Sequence, residues 1–108
     1  MKISYSQNFL KEAKKLSKKF KLLKQDLQIA VQEIQTKRML GVSLGFDLYK
    51  KRVKNSSIPT GKSGGFRIII YRIIKDEIVL ISIYSKTHKE SLSDEELRDI
   101  LQRYLADK

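Results

Sequence analysis

The sequence predicts an α+β fold in the order β-α-α-β-β-β-α. In this fold an N-terminal strand and a helical hairpin pack on a mainly antiparallel four-stranded sheet, and a helix ends the chain. Apolar residues recur at helical spacing near both ends, and two dense runs of β-branched and aromatic residues lie between them. The length of 108 residues is that of one domain with a modest core, so we expect residues 1–108 to form a single domain.

The first elements follow from a change in apolar period. A period of two over Lys2–Phe9 suits a short strand, and from Asn8 the period becomes helical. Neither glycine nor proline interrupts the next two apolar sets, which predict an αα-hairpin that breaks near Phe20–Leu22. Gly41–Gly45, "GVSLG", is interpreted as a turn.

The remaining elements have equally local signals. Tyr49–Lys54 predicts a polar strand and Asn55–Gly65 a turn-rich loop. The runs "FRIIIYRII" and "EIVLISIY" predict a β-hairpin around residues 75–76. Ser93 followed by Glu96 is a capping box, which predicts the start of the last helix.

Composition limits the classes of function. The net charge is +11 and the pI about 9.9, which favours a polyanion or an acidic protein as partner. All of this excess lies in residues 1–62, because residues 63–108 are neutral overall. There is no cysteine for a disulfide or a Cys-based zinc site, and no apolar run is long enough for a membrane span. Without an N-terminal secretory pattern, a cytoplasmic location is expected.

The stretch Pro59–Arg67, "PTGKSGGFR", contains Gly61-Lys62-Ser63, which match the last three residues of a phosphate-loop motif, but the rest of the motif is missing. Ser56 stands where the first glycine of a P-loop belongs, and a predicted strand follows Ser63 where that motif requires a helix. We therefore exclude a nucleotide loop. The open alternatives are a plain connection, in which Gly64 and Gly65 serve positive φ angles, and a basic loop that opens a nucleic-acid groove.

Basic residues converge on this loop and on the strands beside it. Lys50, Arg52 and Lys54 share one face of a strand, and Arg67 opens the next strand beside that face. Lys62 lies in the loop. Such a cluster repels itself unless an anion is bound, which favours a nucleic-acid site. On strict alternation, Tyr84 points to a polar side with Ser82, opposite Ile81 and Ile83, or else packs beside the last helix.

The chain resembles the RelE/ParE superfamily of toxins from bacterial type II toxin–antitoxin systems. The resemblance rests on Tyr49–Arg52, "GKSGGFRIIIY" (Gly61–Tyr71) and "LISIYSKTHKESLSDEELRDIL" (Leu80–Leu101), and is closest to the HigB branch with RelE-like sequences. It spans essentially the whole chain and implies a small RelE-like fold. It also implies a ribosome-dependent mRNA endoribonuclease that inhibits translation without a metal or other cofactor.

The family's chemistry is attack by a ribose 2′-OH on the adjacent phosphodiester. This chemistry needs a base, an acid and positive charge. The family's basic pair matches Lys50 and Arg52, its strand-opening arginine matches Arg67, and its basic residues after the last strand match Lys86 and Lys89. The family's catalytic tyrosine falls where this chain has Leu92-Ser93, so the acid and base are sought among Tyr84, His88 and the lysines.

Two other functions stay open at this point. A ParE-like toxin inhibits DNA gyrase without catalytic residues, and a nucleic-acid-binding protein need not be toxic. The resemblance implies an antitoxin as protein partner, together with mRNA and the ribosomal A site and its rRNA. The lysine row of the first helices is either a solvated face or a contact to rRNA phosphates.

Overall fold

The computed structural model describes residues 1–59, 65–86 and 91–107, which contain three helices and a five-stranded sheet. The predicted α+β class is confirmed, and the helical hairpin breaks at residues 20–22 as expected. The strands are β1 (Lys2–Tyr5), β2 (Val42–Gly45), β3 (Leu48–Val53), β4 (Phe66–Ile74) and β5 (Glu77–Ser85). The helices are α1 (Gln7–Lys19), α2 (Leu23–Lys37) and α3 (Asp94–Ala106).

The sheet has the order β1-β5-β4-β3-β2, with β1 parallel to β5 and the other neighbours antiparallel. It has five strands where four were expected, because the segment interpreted as a turn forms the edge strand β2. Of the glycines that suggested a turn, Gly41 (φ 91°) precedes this strand and Gly45 (φ 86°) is its last residue. A side chain at Gly41 would place its Cβ 2.1 Å from the carbonyl oxygen of Lys50, so Gly41 also allows close backbone approach.

Serine side chains cap the N-termini of two helices. The Ser6 hydroxyl accepts a hydrogen bond from the Phe9 amide at 3.0 Å at the start of α1. The predicted capping box at α3 is confirmed: the Glu96 amide donates to the Ser93 hydroxyl, and the Ser93 amide donates to the Glu96 carboxylate. No helix of the described residues combines the length and apolar character needed to cross a membrane.

Helices cover both faces of the sheet. On one face α1 and α2 pack over a core that contains Phe66, Ile68 and Ile70 from β4. On the other face α3 packs over Ile69 and Tyr71 of the same strand. The alternation along β4 therefore assigns Arg67, which precedes Ile69 by two residues, to the face that carries α3.

A register shift interrupts the pairing of β4 with β5. Ile69 pairs with Ser82 but Ile70 pairs with Leu80, which leaves Ile81 as an extra residue in β5. The strict alternation expected for β5 is wrong for this reason. Tyr84 packs in the same cluster as Ile81, beneath α3, whereas Ile83 packs in the core under α1 and α2.

The two-residue turn between β2 and β3 has an unusual backbone. Phe46 (φ 53°) and Asp47 (φ 61°) follow Gly45 in the left-handed region, which non-glycine residues seldom adopt. Phe46 is 89% exposed. The Asp47 carboxylate lies 3.4 Å from the guanidinium of Arg72.

Candidate active site

A cleft of about 310 Å³ opens where β3 ends, β4 begins and β5 ends. Four of its lining residues carry a positive side chain, and the other two are uncharged. Among the described residues, no carboxylate lines it. The residues are Lys50, Arg52, Arg67, Lys86, Gly41 and Val42.

Strand register brings these side chains together. Arg52 lies directly opposite Arg67 across the β3–β4 ladder, and Arg67 lies directly opposite Tyr84 across the β4–β5 ladder. Directly opposed residues project on the same face of a sheet, so the three side chains form a row. Lys86 is held at the end of the row because its amide donates to the Gly65 carbonyl at 3.0 Å.

Arg67 is the most buried cation of the cleft, with 4% of its surface exposed. Its Nη1 donates to the carbonyl oxygen of Phe66 at 3.0 Å. Burial lowers the pKa of Arg67, with a further contribution from the positive charge of Arg52. Within the described residues no carboxylate forms an ion pair with Arg67. A buried charge without a counter-ion is costly, so an anion in the cleft would be stabilised there.

Gly65 provides the space that this arginine occupies. A Cβ at Gly65 would lie 2.6 Å from the carbonyl oxygen of Val53 and 3.2 Å from Nη1 of Arg67. Gly65 is not among the described glycines with a positive φ, so the alternative of a plain connection does not account for it, and Gly64 lies outside the described residues. Glycine is required because the backbones of β3 and β4 and the guanidinium approach each other closely.

Tyr84 carries a buried hydroxyl in this row, next to Arg67 but not in the lining of the cleft itself. Its oxygen has no hydrogen-bond partner in the part of the chain that the structure describes. Burial raises the pKa of the Tyr84 phenol, and the charge of Arg67 opposes the shift. The group is therefore a neutral phenol near pH 7, able to donate a hydrogen bond or a proton rather than to remove one.

The other predicted residues are distributed differently. Lys54 is exposed just past β3 and does not line the cleft. Lys51, between Lys50 and Arg52, faces α2, where its Nζ lies 3.1 Å from the Glu33 carboxylate. Lys62, His88 and Lys89 lie outside the described residues. In the part of the chain that the structure describes, no group of three Asp, Glu or His side chains could hold a metal ion.

A second concavity, of about 700 Å³, lies between α1 and α2 on the opposite face of the sheet. We call it the helical groove. Its lining is mainly apolar, with lysines among the lining residues, whereas every charged side chain in the described lining of the cleft is basic. The lining includes Tyr5, Phe9, Leu10, Leu27, Val31, Lys14 and Lys24.

The sequence patterns did not indicate two residues that line the cleft and one that contacts β5 beside it. Gly41 and Val42 line the cleft but were assigned to a turn, although a glycine on each side of three strand-compatible residues was the available signal. Glu12 contacts β5 from α1, and its partners are 70 and 71 residues away in the chain. No local pattern marks such a contact.

Comparison with known protein families matches residues 1–106 to a family described as the RelE toxin of the RelE / RelB toxin–antitoxin system. Among solved structures, the chain is similar to a mutant of E. coli toxin RelE in the free state, with 16% sequence identity and a TM-score of 0.55. The alignment covers 98% of this chain and 95% of that chain. At this identity the structural likeness concerns the fold alone. Comparison with curated protein sequences finds no significant match.

Proposed function

Because this chain belongs to the RelE family of toxins from toxin–antitoxin systems, we propose that it cleaves mRNA on the ribosome and that the basic cleft is its reaction centre. The observation that carries the proposal is a cleft whose described lining has four cations and no carboxylate, with a nearly buried arginine among the cations. Its substrate would be met in the cytoplasm. Family membership also implies an antitoxin as protein partner.

The proposed reaction needs no group beyond the side chains of the chain and the ribose of the substrate. The ribose 2′-oxygen loses its proton and bonds to the adjacent phosphorus. The bond from phosphorus to the 5′-oxygen breaks, and that oxygen takes up a proton. The products are a 2′,3′-cyclic phosphate and a 5′-hydroxyl. Negative charge accumulates on the phosphate oxygens in between, so positive side chains placed around them accelerate the step.

We assign the scissile phosphate to the two arginines of the row, Arg52 and Arg67. The guanidinium of Arg67 uses one nitrogen for Phe66 and keeps further N–H groups for a phosphate. Arg52, directly opposite and exposed, would hold the same phosphate from the solvent side. Lys50 and Lys86 would bind the flanking backbone of the message. Lys54 and Lys62 would extend this track.

We assign Tyr84 to the leaving oxygen. Its buried hydroxyl lies in the same row as Arg67, and its raised pKa keeps the proton on the phenol until charge develops beside it. The base that accepts the 2′ proton is then sought among the lysines of the cleft, His88 and Lys89.

In vitro translation with mapping of mRNA 5′ ends tests the proposal. Arg67→Ala should reduce cleavage at the A-site codon by about 100-fold or more, since one preorganised donor to the charged phosphate is lost. Tyr84→Phe keeps the ring and should reduce the rate of cleavage without weakening binding to ribosomes. Arg72→Ala is the matched control, because Arg72 lies on the same strand but pairs with Asp47 outside the cleft.

Intact mRNA with the wild-type protein would contradict the proposal, and inhibition of DNA gyrase in its place would favour the ParE-like alternative. Equal cleavage by wild type and Arg67→Ala would remove the arginine from the mechanism.

We further propose that the helical groove receives the antitoxin. Apolar side chains line it, Lys14 and Lys24 lie among them, and α1 carries only one acidic residue, Glu12. An amphipathic segment with an apolar stripe and acidic flanks fits this combination.

A further inference from the structure

We infer that Glu12, on α1, is a positioning residue for the cleft: it holds the register of β5 in which Tyr84 lies opposite Arg67. The inference rests on the proposed function for its consequence, but its structural part can be measured without activity. Glu12 does not line the cleft, and no motif of the sequence singles it out.

The first observation is an open strand edge. β1 pairs with β5 only as far as Tyr5 and Leu80, so the next residues of β5 have no strand on that side. Side chains of the α1 region take its place. The Ile81 carbonyl accepts from the Ser6 hydroxyl at 3.3 Å and from Nδ2 of Asn8 at 3.0 Å. Backbone groups at this edge are therefore satisfied by a helix.

The second observation is that Glu12 provides a hydrogen-bond acceptor at this open edge of β5, where no strand pairs. Its Oε1 accepts from the Ile83 amide at 3.2 Å, from the Ser82 hydroxyl at 2.8 Å and from Asn8 at 3.0 Å. These contacts lie directly after Ile81, the extra residue of β5. A bulge leaves the ladder locally disrupted, so an outside acceptor at this point stabilises the bulged register over the regular one.

The third observation is what the bulge does to the cleft. If the pairing of Ile70 with Leu80 continued without an extra residue, Arg67 would lie opposite Ile83, and Tyr84 would lie opposite Phe66. The phenol would then be on the face of α1 and α2. The extra residue is thus the reason that Tyr84 and Arg67 share a face. Glu12, at the edge of β5 away from β4, thereby determines that Tyr84 and Arg67 lie on the same face of the sheet.

Three variants test the inference: Glu12→Ala, which removes the acceptor, Glu12→Gln, which keeps an oxygen in its place, and Ser82→Ala, which removes one donor. Glu33→Ala is the matched control, because it removes another carboxylate contact from a helix to the sheet, at Lys51, without touching β5. Each is measured for cleavage kinetics, for hydrogen exchange of the Ile83 amide, and by NMR for proximity of residue 67 to residue 84 or 83.

Glu12→Ala should lower kcat by about tenfold or more with KM within about twofold, since a small misplacement of a reacting group is enough for that loss. Its Ile83 amide should exchange faster. Glu12→Gln should restore both to near wild type, and Ser82→Ala should move both slightly in the direction of Glu12→Ala. Glu33→Ala should keep wild-type kcat while folded.

A folded Glu12→Ala protein with wild-type kcat and an intact contact between residues 67 and 84 overturns the inference, as does an equal loss of kcat in Glu33→Ala. If Glu12→Ala does not fold, unchanged kcat and exchange in Ser82→Ala overturn it. If the wild type does not cleave mRNA, the proposed function fails, and the exchange and NMR measurements still decide the role of Glu12.

Discussion

At the scale of single residues, burial and hydrogen bonding act in opposite directions on the charged form of the Glu12 carboxyl group. Burial raises its pKa above the ordinary value of 4.5, while hydrogen bonds from Ser82, Ile83 and Asn8 and the charge of Arg103 oppose the shift. The folded chain therefore binds a proton at this site more tightly than the unfolded chain does. Asp76 is the opposite case, because its exposed pairing with Arg38 lowers its pKa.

The raised pKa of Glu12 has a definite sign for stability. Between the ordinary pKa and the higher folded-state value, the folded state holds more protons, so the contribution of Glu12 to the free energy of unfolding falls as pH rises through this window. Glu12→Gln has no such titration. The difference in stability between Glu12→Gln and wild type should grow in favour of the variant as pH rises from 4.5, measured by urea unfolding at a series of pH values. A difference that shrinks over that range would contradict the assignment.

At the scale of elements, a single ion pair links α2 to β3 at the back of the cleft. The side chain of Lys51 is 5% exposed, while that of its partner Glu33 is 41% exposed. Lys50 and Arg52 face the other way, so this ion pair contributes to the packing of β3 on α2 and does not contact the cleft. The effect of a substitution here on the free energy of unfolding depends on its kind. Removing one partner leaves a buried charge, whereas replacing the lysine by an apolar residue removes that charge.

Glu33→Ala should lower the free energy of unfolding, because Lys51 is then buried without a counter-ion. The loss should stay below the roughly 3–5 kcal/mol of a fully buried pair, since Glu33 is partly in solvent. Lys51→Met fills the same space without a charge and should be close to wild type. Chemical denaturation of both variants checks this, and a Lys51→Met protein less stable than Glu33→Ala would contradict the argument.

The elements also separate what local sequence can predict from what it cannot. The helical hairpin and the capping box at Ser93 were predicted because their signals lie within a few residues. The bulge in β5 was not, because all nine residues of Glu77–Ser85 suit a strand and none is marked as the extra one. Of the cleft, Lys50, Arg52 and Arg67 were predicted from strand alternation and Lys86 from the family resemblance. Gly41 and Val42 depend on a pairing that only the folded sheet defines.

At the scale of the whole molecule, the two concavities lie on opposite faces of the sheet. The cleft is lined by cations on the α3 side, and the helical groove is mainly apolar on the other. Contacts to a polyanion weaken steeply with salt, whereas burial of apolar surface does not. Binding of RNA and binding of antitoxin should therefore respond differently to salt and to point substitutions.

Leu10 and Ile29 provide a matched pair for this separation. Each is 54% exposed, but only Leu10 lines the helical groove. Leu10→Glu should weaken the antitoxin complex by about tenfold or more, through lost apolar contact and repulsion of an acidic segment, and should leave mRNA cleavage unchanged. Ile29→Glu should change neither. Titration calorimetry with the purified antitoxin measures the first effect, and equal weakening by both variants would contradict the assignment of the groove.

The turn between β2 and β3 bears on the order in which the sheet assembles. Phe46 and Asp47 adopt a backbone angle that glycine or asparagine would favour, so the turn does not favour this hairpin by itself, and we expect the hairpin to form late, by pairing with β4. Phe46→Gly should remove a penalty of about 1 kcal/mol. If the hairpin forms late, stopped-flow kinetics should show the gain as slower unfolding, with the refolding rate almost unchanged.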